Sequence, residues 1–309
     1  MDIFLQQILN GLVLGSVYAL IALGYTMVYG ILQLINFTHG EVLMVGAMVS
    51  LSVVMAMGHA FPNAPAVVLL IAALAISIPS CMFLSAFIER VAYRPLRNAP
   101  RLAPLITAIG LSIVLQTLAM LIWSPNPRVF PDLLPTQPIA IGGAYLAPKQ
   151  LLILVVAALL MAGLMLIVNT TRLGRAMRAV SENPRMATLM GVNPDRIISI
   201  TFMLGAALAA VAGLLVAMNY NIAHFTMGFL PGLKAFTAAV LGGIGNIPGA
   251  VVGGLLLGII ESLGAGYIGD ITGGFLGSHY QDVFAFAVLI LVLVFRPSGL
   301  LGERVADRA

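Results

Sequence analysis

Residues 172–196, RLGRAMRAVSENPRMATLMGVNPDR, form a basic segment between two long apolar runs. The segment carries five of the fifteen Lys and Arg residues, whereas the flanking runs 149–169 and 197–218 are almost entirely apolar. Positive charges that cluster beside apolar runs of this length are typical of the cytoplasmic loops of membrane proteins. We therefore expect residues 172–196 to form a cytoplasmic loop between two membrane helices.

Two helix starts are predicted inside this segment. Asn183–Pro184 is typical of a start, because Asn caps free backbone N–H groups and proline at the first position has no N–H to leave unpaired. Gly191 predicts the end of this short helix over 185–190, since glycine adopts the left-handed conformation easily. Asn193–Pro194 predicts a second start, which opens directly into the apolar run 197–218.

The short helix is predicted to carry an apolar face. Met186, Leu189 and Met190 have the i, i+3, i+4 spacing that places side chains on one side of a helix, with Arg185 and Thr188 turned away. Such a face either lies against the lipid interface or its own bundle, or docks onto another protein. Flexible methionine side chains suit a surface that repacks as a partner moves.

The composition excludes an ordinary soluble domain. The 309 residues are 61% hydrophobic and 8% charged, whereas a soluble domain is about 25% charged. The net charge of +4 is small, and the Arg residues lie beside apolar runs. This placement is typical of charges that set the orientation of a membrane protein, so we expect no nucleic-acid partner. The single cysteine, Cys81, excludes an internal disulfide and a cysteine-based metal site.

The apolar runs predict an all-α polytopic membrane protein. A membrane helix needs about 20 apolar residues, and eight or nine crossings follow from this length. The predicted spans are 7–29, 41–58, 64–87, 104–123, 149–169, 197–218 and 282–296, with a composite run over 232–264. We expect one transmembrane domain over 1–309.

The distribution of positive charge predicts the orientation. The loops 89–101, 172–196 and 296–308 together hold twelve of the fifteen Lys and Arg residues. Under the positive-inside rule these loops are cytoplasmic, and the loop 124–149 faces the opposite side. The C-terminus is then cytoplasmic, and counting spans backward places the N-terminus on the opposite side of the membrane.

Two polar interruptions are predicted to break helices inside the membrane. The first lies near 30–41 and contains Asn36, Thr38 and His39, and the second lies near 242–249 and contains Asn246. Irregular backbone at membrane depth has to be enclosed by protein or border a wet cavity. The run 232–264 is therefore either two short tilted spans or two re-entrant half-helices.

Transporters often place such breaks at the solute path. We therefore predict that Asn36, Thr38, His39 and Asn246 border the translocation path, with packing as the alternative. Small residues also recur in the apolar runs, with Gly11 four residues before Gly15, and Gly254 four residues before Gly258. Such spacing lets two helices approach closely in lipid, so we expect them in ordinary bundle packing.

Several chemistries have no motif in this sequence. There is no G-x-x-x-x-G-K-[ST] phosphate-binding loop, which indicates that this chain does not hydrolyse ATP. No His-x-x-x-His pair or Gly-x-Ser-x-Gly elbow is present, so we predict no catalytic residue, no metal site and no cofactor. Acidic residues are few in the apolar runs, and we expect Glu41 and Glu261 near helix ends.

Three motifs resemble those of the permease subunits of bacterial ABC importers for branched-chain amino acids. They are INFTHGE at 35–41, Glu182-Asn183-Pro184 followed by Gly191-Val192-Asn193-Pro194, and GGIGNIPGAVVGG at 242–254. The resemblance extends over nearly the whole chain and favours the shorter of the two homologous permeases.

This resemblance implies a role and a set of partners. The partners are a homologous second permease subunit, two cytoplasmic ATPase subunits that bind ATP, and a periplasmic substrate-binding protein. The location implied is the bacterial inner membrane. The resemblance also makes 172–196 the segment that couples ATP hydrolysis to transport, through Glu182, Asn183, Pro184, Met186, Leu189, Met190, Gly191, Asn193 and Pro194.

Two alternatives stay open from the sequence. Related importers carry urea, amides or other amino acids, and the separate binding protein sets most of the selectivity. A stand-alone secondary carrier is the other alternative, although such carriers usually keep more ionisable groups inside the membrane.

Overall fold

The computed structural model describes residues 2–97, 99–100, 102–135, 137–141, 143–271, 281–296 and 298–302. Its helices are α1 (Asp2–Leu32), α2 (His39–Ala60), α3 (Ala66–Ile88), α4 (Leu102–Trp123), α5 (Pro148–Thr170), α6 (Arg172–Glu182), α7 (Pro184–Leu189), α8 (Pro194–Tyr220), α9 (Phe229–Gly242), α10 (Ile247–Ile271) and α11 (Gln281–Phe295). A π-helical turn (Glu89–Tyr93) and a 3-10 turn (Arg94–Leu96) extend α3.

Short strands pair outside the helices. Strand β1 (Arg128–Val129) pairs antiparallel with β4 (Ile222–Ala223), and β2 (Ile139–Ile141) pairs antiparallel with β3 (Ala144–Leu146). The predicted basic C-terminal loop lies largely outside the described residues, which end at 302.

The helices confirm the predicted class, an all-α polytopic membrane protein. Seven helices of the described chain are long and apolar enough to cross a bilayer, namely α1, α2, α3, α4, α5, α8 and α10. The outer faces of α3 and α4 are strongly apolar, with Phe83, Ile106 and Leu121 all exposed. Such surfaces are stable in lipid and would drive aggregation in water.

The composite run 232–264 differs from both predicted arrangements. Helix α9 has 14 residues, or about 21 Å at 1.5 Å per residue, which is too short for a core of about 30 Å. Helix α10 has 25 residues and is long enough to cross. The run is therefore one short helix followed by one full-length helix, because the apolar pattern of α10 continues beyond residue 264.

The chain divides into two compact units. Unit 1 comprises Met1–Thr26, Thr136–Ala162 and Lys234–Ala309, and unit 2 comprises Met27–Pro135 and Gly163–Leu233. Neither unit is one continuous piece of chain. A single permease domain over 1–309 stays a prediction.

Unit 1 is held together by the close approach of α1 and α10. A Cβ atom added at Gly258 would lie 2.2 Å from the backbone N of Gly15, and one at Gly254 would lie 2.5 Å from Ala19. A Cβ at Gly11 would likewise lie 2.6 Å from the Cα of Ile259. The predicted role of these glycines in close helix packing is confirmed.

Unit 2 is built around the packing of α2, α3 and α8. A Cβ added at Gly213 would lie 2.2 Å from the Leu43 carbonyl oxygen, so α2 and α8 are in backbone contact there. The Ser85 hydroxyl of α3 donates to the Phe202 carbonyl of α8 over 3.1 Å. Small side chains thus let three helices meet closely enough for polar groups to pair inside the bundle.

Candidate functional site

Helix α6 is anchored at its start and along one side. The Thr171 side chain caps it by accepting from the Gly174 N–H at 3.2 Å. Gly174, Met177 and Val180 face inward and are buried. A Cβ at Gly174 would lie 2.0 Å from the Val168 carbonyl oxygen, so this turn lies directly on the end of α5. Glu182, at the end of α6, is exposed.

Helix α7 begins where the sequence predicts. The Asn183 side-chain oxygen accepts from the N–H groups of Arg185 and Met186, each at 3.1 Å. Pro184 occupies the first helical position. The extended backbone of Asn183, with φ of −155°, makes the corner between α6 and α7.

Helix α7 ends in a Schellman motif at Gly191. Gly191 has a φ of +83°. Its N–H donates to the Thr188 carbonyl and the Val192 N–H donates to the Ala187 carbonyl, both over 3.0 Å. These two bonds are the pair that defines the motif and that satisfies the last carbonyl groups of the helix. The predicted stop at Gly191 is confirmed.

The apolar face of α7 points away from the rest of the chain. Met186 is 56% exposed, Leu189 is 78% exposed and Met190 is 83% exposed, whereas Ala187 is buried against the chain. The caps at both ends of this six-residue helix fix the backbone positions from which these side chains project. An exposed apolar patch with a defined geometry is typical of an interaction surface.

The start of α8 carries an ionic network. The Asn193 side chain accepts from the Arg196 N–H at 3.3 Å, and Pro194 takes the first helical position, as predicted. Asp195, the next residue, forms ion pairs with Arg94 and Arg97. The first turn of α8 is therefore tied to the turns that follow α3.

The same network reaches a buried carboxylate. Arg97 bridges Asp195 and Glu89, one terminal nitrogen to each. Glu89 is only 1% exposed, and its second oxygen accepts from the Ser199 hydroxyl. The sequence pattern assigns Arg94 and Arg97 only to the basic loop 89–101, whereas Asp195, the partner that they share, lies about a hundred residues later in the chain.

The first break is shorter than predicted. Helix α1 continues to Leu32 and α2 begins at His39, so the irregular backbone covers only 33–38. Gln33 starts the break in the left-handed region, with a φ of +52°. His39 and Glu41 belong to the first turn of α2, because helix hydrogen bonding resumes before the apolar pattern does.

Polar side chains fill this break from within unit 2. The Asn36 side-chain oxygen accepts from the Tyr93 hydroxyl at 2.7 Å and from the Thr38 hydroxyl. Asn36, Thr38 and His39 are all buried. Glu41 is buried nearby in α2 and accepts from Ser112 at 2.9 Å and from Gln116 at 2.7 Å.

The second break is also shorter than predicted, covering 243–246 within unit 1. Gly243 and Gly245 have φ values of +106° and +96°. The Asn246 side-chain oxygen accepts from the Gly249 N–H at 3.1 Å, and its amide donates to the Leu301 carbonyl at 2.7 Å. Asn246 therefore caps α10 and holds a segment near the C-terminus.

That segment also completes the end of α9. The N–H groups of Leu300 and Leu301 donate to the carbonyls of Leu241 and Gly242, over 2.9 Å and 3.0 Å. The last turn of α9 thus obtains hydrogen-bond partners from residues almost sixty positions later in the chain.

A charged cluster in unit 1 was not foreseen from the sequence. Lys234 of α9 forms ion pairs with Glu261 at 2.6 Å and with Asp282 at 2.7 Å. The Tyr18 hydroxyl donates to the second oxygen of Glu261 at 3.0 Å. Glu261 lies in the interior of α10 and not near its end, because that helix continues to Ile271. The lysine and the two carboxylates compensate one another where isolated charges would be costly.

The four predicted path residues fall into two groups. Asn36, Thr38 and His39 lie together in unit 2, and Asn246 lies in unit 1. Asn36 and Thr38 are hydrogen-bonded to each other and to unit 2, and Asn246 is bonded within unit 1. These contacts favour the packing alternative, and the path role stays a prediction.

Interrupted apolar helices with polar residues at the breaks are typical of membrane transport proteins. A family model described as "Branched-chain amino acid transport system / permease component" matches residues 7–293. The chain therefore belongs to the family of branched-chain amino acid transport permease components.

Individual relatives agree with this family. The chain is 50% identical to the high-affinity branched-chain amino acid transport system permease protein BraD of Pseudomonas aeruginosa, over 97% of this chain and 96% of the relative. It is 47% identical to the corresponding protein LivH of Escherichia coli K12, with the same two shares. A probable branched-chain amino acid transport permease protein LivH of Methanocaldococcus jannaschii is 29% identical, over 97% of this chain and 94% of the relative. No solved structure gives a significant match.

Proposed function

We propose that this chain is the membrane-spanning permease subunit of an ABC importer for branched-chain amino acids. It would form the translocation path and expose that path to each side of the membrane in turn. Partner subunits that bind and hydrolyse ATP would drive this change. The family match and the names of relatives at 47–50% identity support this substrate class and this role. The chain itself would have no enzymatic activity and no cofactor.

The proposed assembly contains a homologous second permease subunit, two cytoplasmic ABC ATPase subunits and a periplasmic substrate-binding protein. It would reside in the bacterial inner membrane, with the N-terminus in the periplasm and the C-terminus in the cytoplasm. The twelve positive charges on one set of loops support this orientation.

The observation that carries the proposal is the preformed apolar face of α7. Met186, Leu189 and Met190 are exposed together on a helix that Asn183 and Gly191 cap at its two ends. A capped helix presents its face without further ordering, which lowers the entropic cost of docking. We propose that this face docks onto an ATPase subunit and that 172–196 is the coupling segment.

The docking surface is tested by matched single substitutions on opposite sides of α7. Leu189→Asp places a charge in the apolar face, and Thr188→Asp places the same charge on the exposed side away from that face. When the variants are expressed with their partner subunits, we expect Leu189→Asp to lose co-purification of the ATPases. Thr188→Asp should retain it, and both variants should reach the membrane in normal amounts.

A third variant separates protein docking from contact with lipid. Lysine at a lipid interface extends its charge toward the headgroups at little cost, whereas an apolar pocket on a protein rejects either charge. Leu189→Lys should therefore behave as Leu189→Asp does if α7 docks onto an ATPase. Co-purification and uptake that survive in Leu189→Lys but not in Leu189→Asp would assign α7 to the lipid interface instead.

The substrate class is tested with the complete complex in proteoliposomes. We expect ATP-dependent uptake of leucine, isoleucine and valine in the presence of the binding protein. Uptake of urea or amides in their place would establish the related importer class. Uptake by the chain alone, without ATPases, would establish a secondary carrier.

A further inference from the structure

We propose that Asp195, Arg97, Glu89 and Tyr93 are positioning residues that transmit movement of α7 to the first helix break. The inference rests on the proposed function, since it assumes that α7 is moved by an ATPase. All four residues and the break lie in unit 2. The link consists of two sets of side-chain contacts, Asp195–Arg97–Glu89 and Tyr93–Asn36, which the backbone of one π-helical turn joins.

The first step joins α7 to Arg97. Only the residues 190–193 separate the end of α7 from the start of α8, and the Val192 N–H is bonded back to Ala187. A displaced α7 therefore displaces the first turn of α8, where Asp195 lies. Asp195 is paired with Arg97 and with Arg94, so both arginines follow it.

The second step joins Arg97 to Glu89. Glu89 is buried, and its carboxylate has Arg97 on one oxygen and Ser199 on the other. A buried carboxylate that loses its cationic partner is strongly destabilised, so the two side chains move as one. The planar guanidinium fixes the relative position of both carboxylates that it bridges.

The third step crosses the π-helical turn. Glu89 and Tyr93 are the first and last residues of this turn. π-helical turns are rare and are frequently found at functional sites. Tyr93 is buried, and the centroid of its ring lies 5.5 Å from that of the Phe202 ring. Its hydroxyl donates to the Asn36 side-chain oxygen.

The last step is the break itself. The Asn36 oxygen takes hydrogen bonds from Tyr93 and from Thr38, the residue that directly precedes α2. The backbone at 33–38 lies outside α1 and α2, and its backbone hydrogen bonds are made at its two ends, by Gln33 and by Asn36 and Thr38. The side-chain bonds to Asn36 therefore contribute to its conformation. Movement that begins at α7 therefore ends as a change in how α1 connects to α2.

The test is Tyr93→Phe, which removes only the hydroxyl that reaches Asn36 and keeps the ring. The matched control is Tyr145→Phe, since Tyr145 has an exposed side chain. In proteoliposomes with partner subunits and binding protein, we measure leucine taken up per ATP hydrolysed. This ratio is independent of the amount of folded complex, so a purely structural role would leave it unchanged.

We expect Tyr93→Phe to lower the ratio about fivefold, within the range found for residues that modulate coupling between sites. Arg97→Gln and Asp195→Asn should each lower it to a similar extent. Their double variant should be no worse than either single variant, because a series of contacts is already interrupted by one break. Arg128→Gln, which removes an exposed positive charge from β1, outside the coupling segment, should keep the wild-type ratio.

Two results would separate this inference from the proposed function. If Tyr93→Phe, Arg97→Gln and Asp195→Asn all transport leucine at the wild-type ratio, the link is wrong while the importer function stands. Fully additive losses in the double variant would also overturn it. Should Arg97→Gln fail to assemble, Tyr93→Phe alone decides the question. Loss of ATPase co-purification in Tyr93→Phe would also refute a transmitting role.

Discussion

The end of α7 gives the most direct test of how backbone conformation controls the apolar face of this helix. Gly191 has a φ of +83°, and a Cβ added there would meet no atom within 4 Å. Any cost of substitution is therefore conformational and not steric. A residue other than glycine pays about 1–2 kcal/mol in the left-handed region, with Asn at the low end and β-branched Val at the high end.

This cost acts locally. A change of about 1–2 kcal/mol alters a local equilibrium by about 5- to 30-fold, which is enough to open the last turn of a six-residue helix. Two amides report on this opening, because the N–H groups of Gly191 and Val192 hold the last turn through Thr188 and Ala187. The rest of the bundle is far away from the strain and should keep its thermal stability.

The measurement is hydrogen exchange followed by mass spectrometry on the peptide covering 185–195. Protection of these amides should be highest in the wild type and decrease from Gly191→Asn through Gly191→Ala to Gly191→Val. Leucine uptake per ATP should decrease in the same order. Gly163→Ala is the control, since Gly163 also has open space around it but lies within α5. Equal protection across the series, or a loss of protection throughout the chain, would refute the conformational argument.

Three further predictions concern packing, the path and the topology. Gly258→Leu should greatly reduce expression and thermal stability, because a Cβ there meets the Gly15 backbone at 2.2 Å. Gly163→Leu should keep both, as measured by expression level and a thermal-shift assay. Asn36→Leu and Asn246→Leu, tested singly, should lower leucine uptake without lowering ATP hydrolysis if these residues border the path; failed assembly would identify them as packing residues. Cysteine at Arg175 should react with an impermeant thiol reagent only from the cytoplasm and cysteine at Pro135 only from outside, and labelling of Pro135→Cys from inside would contradict the topology. Native Cys81 is buried and should give no background.

Features governed by neighbouring residues could be predicted from the sequence. The start of α7 at Asn183–Pro184 and its end at Gly191 depend on hydrogen bonds that span three to five residues. The apolar spans are equally local, because length and hydropathy alone determine which helices can cross a bilayer. The glycine pairs of α1 and α10 were predictable as close-packing surfaces, although their mutual contact was not.

Features that depend on distant parts of the chain could not be predicted. Polar residues at 30–41 mark a break, but the Tyr93 hydroxyl that donates to Asn36 comes from 57 residues later in the chain. Tyr93 lies in a segment, 89–101, that charge counting treats as uniform. Lys234 and Glu261 are separated by 27 residues and a break, so their pairing has no local pattern. The length of α10 was misjudged because its apolar pattern continues beyond residue 264, where the predicted run ended.

The pairing of residues 300–301 with the end of α9 has a consequence for biosynthesis. Leu300 and Leu301 supply the N–H groups that satisfy the carbonyls of Leu241 and Gly242. The ribosome makes these residues only after α10 and α11, so α9 is synthesised well before the partners of its last carbonyls exist. Insertion and final folding are therefore separate stages for this helix, and a nascent chain waiting between them exposes an unfinished helix end that chaperones and membrane proteases could recognise.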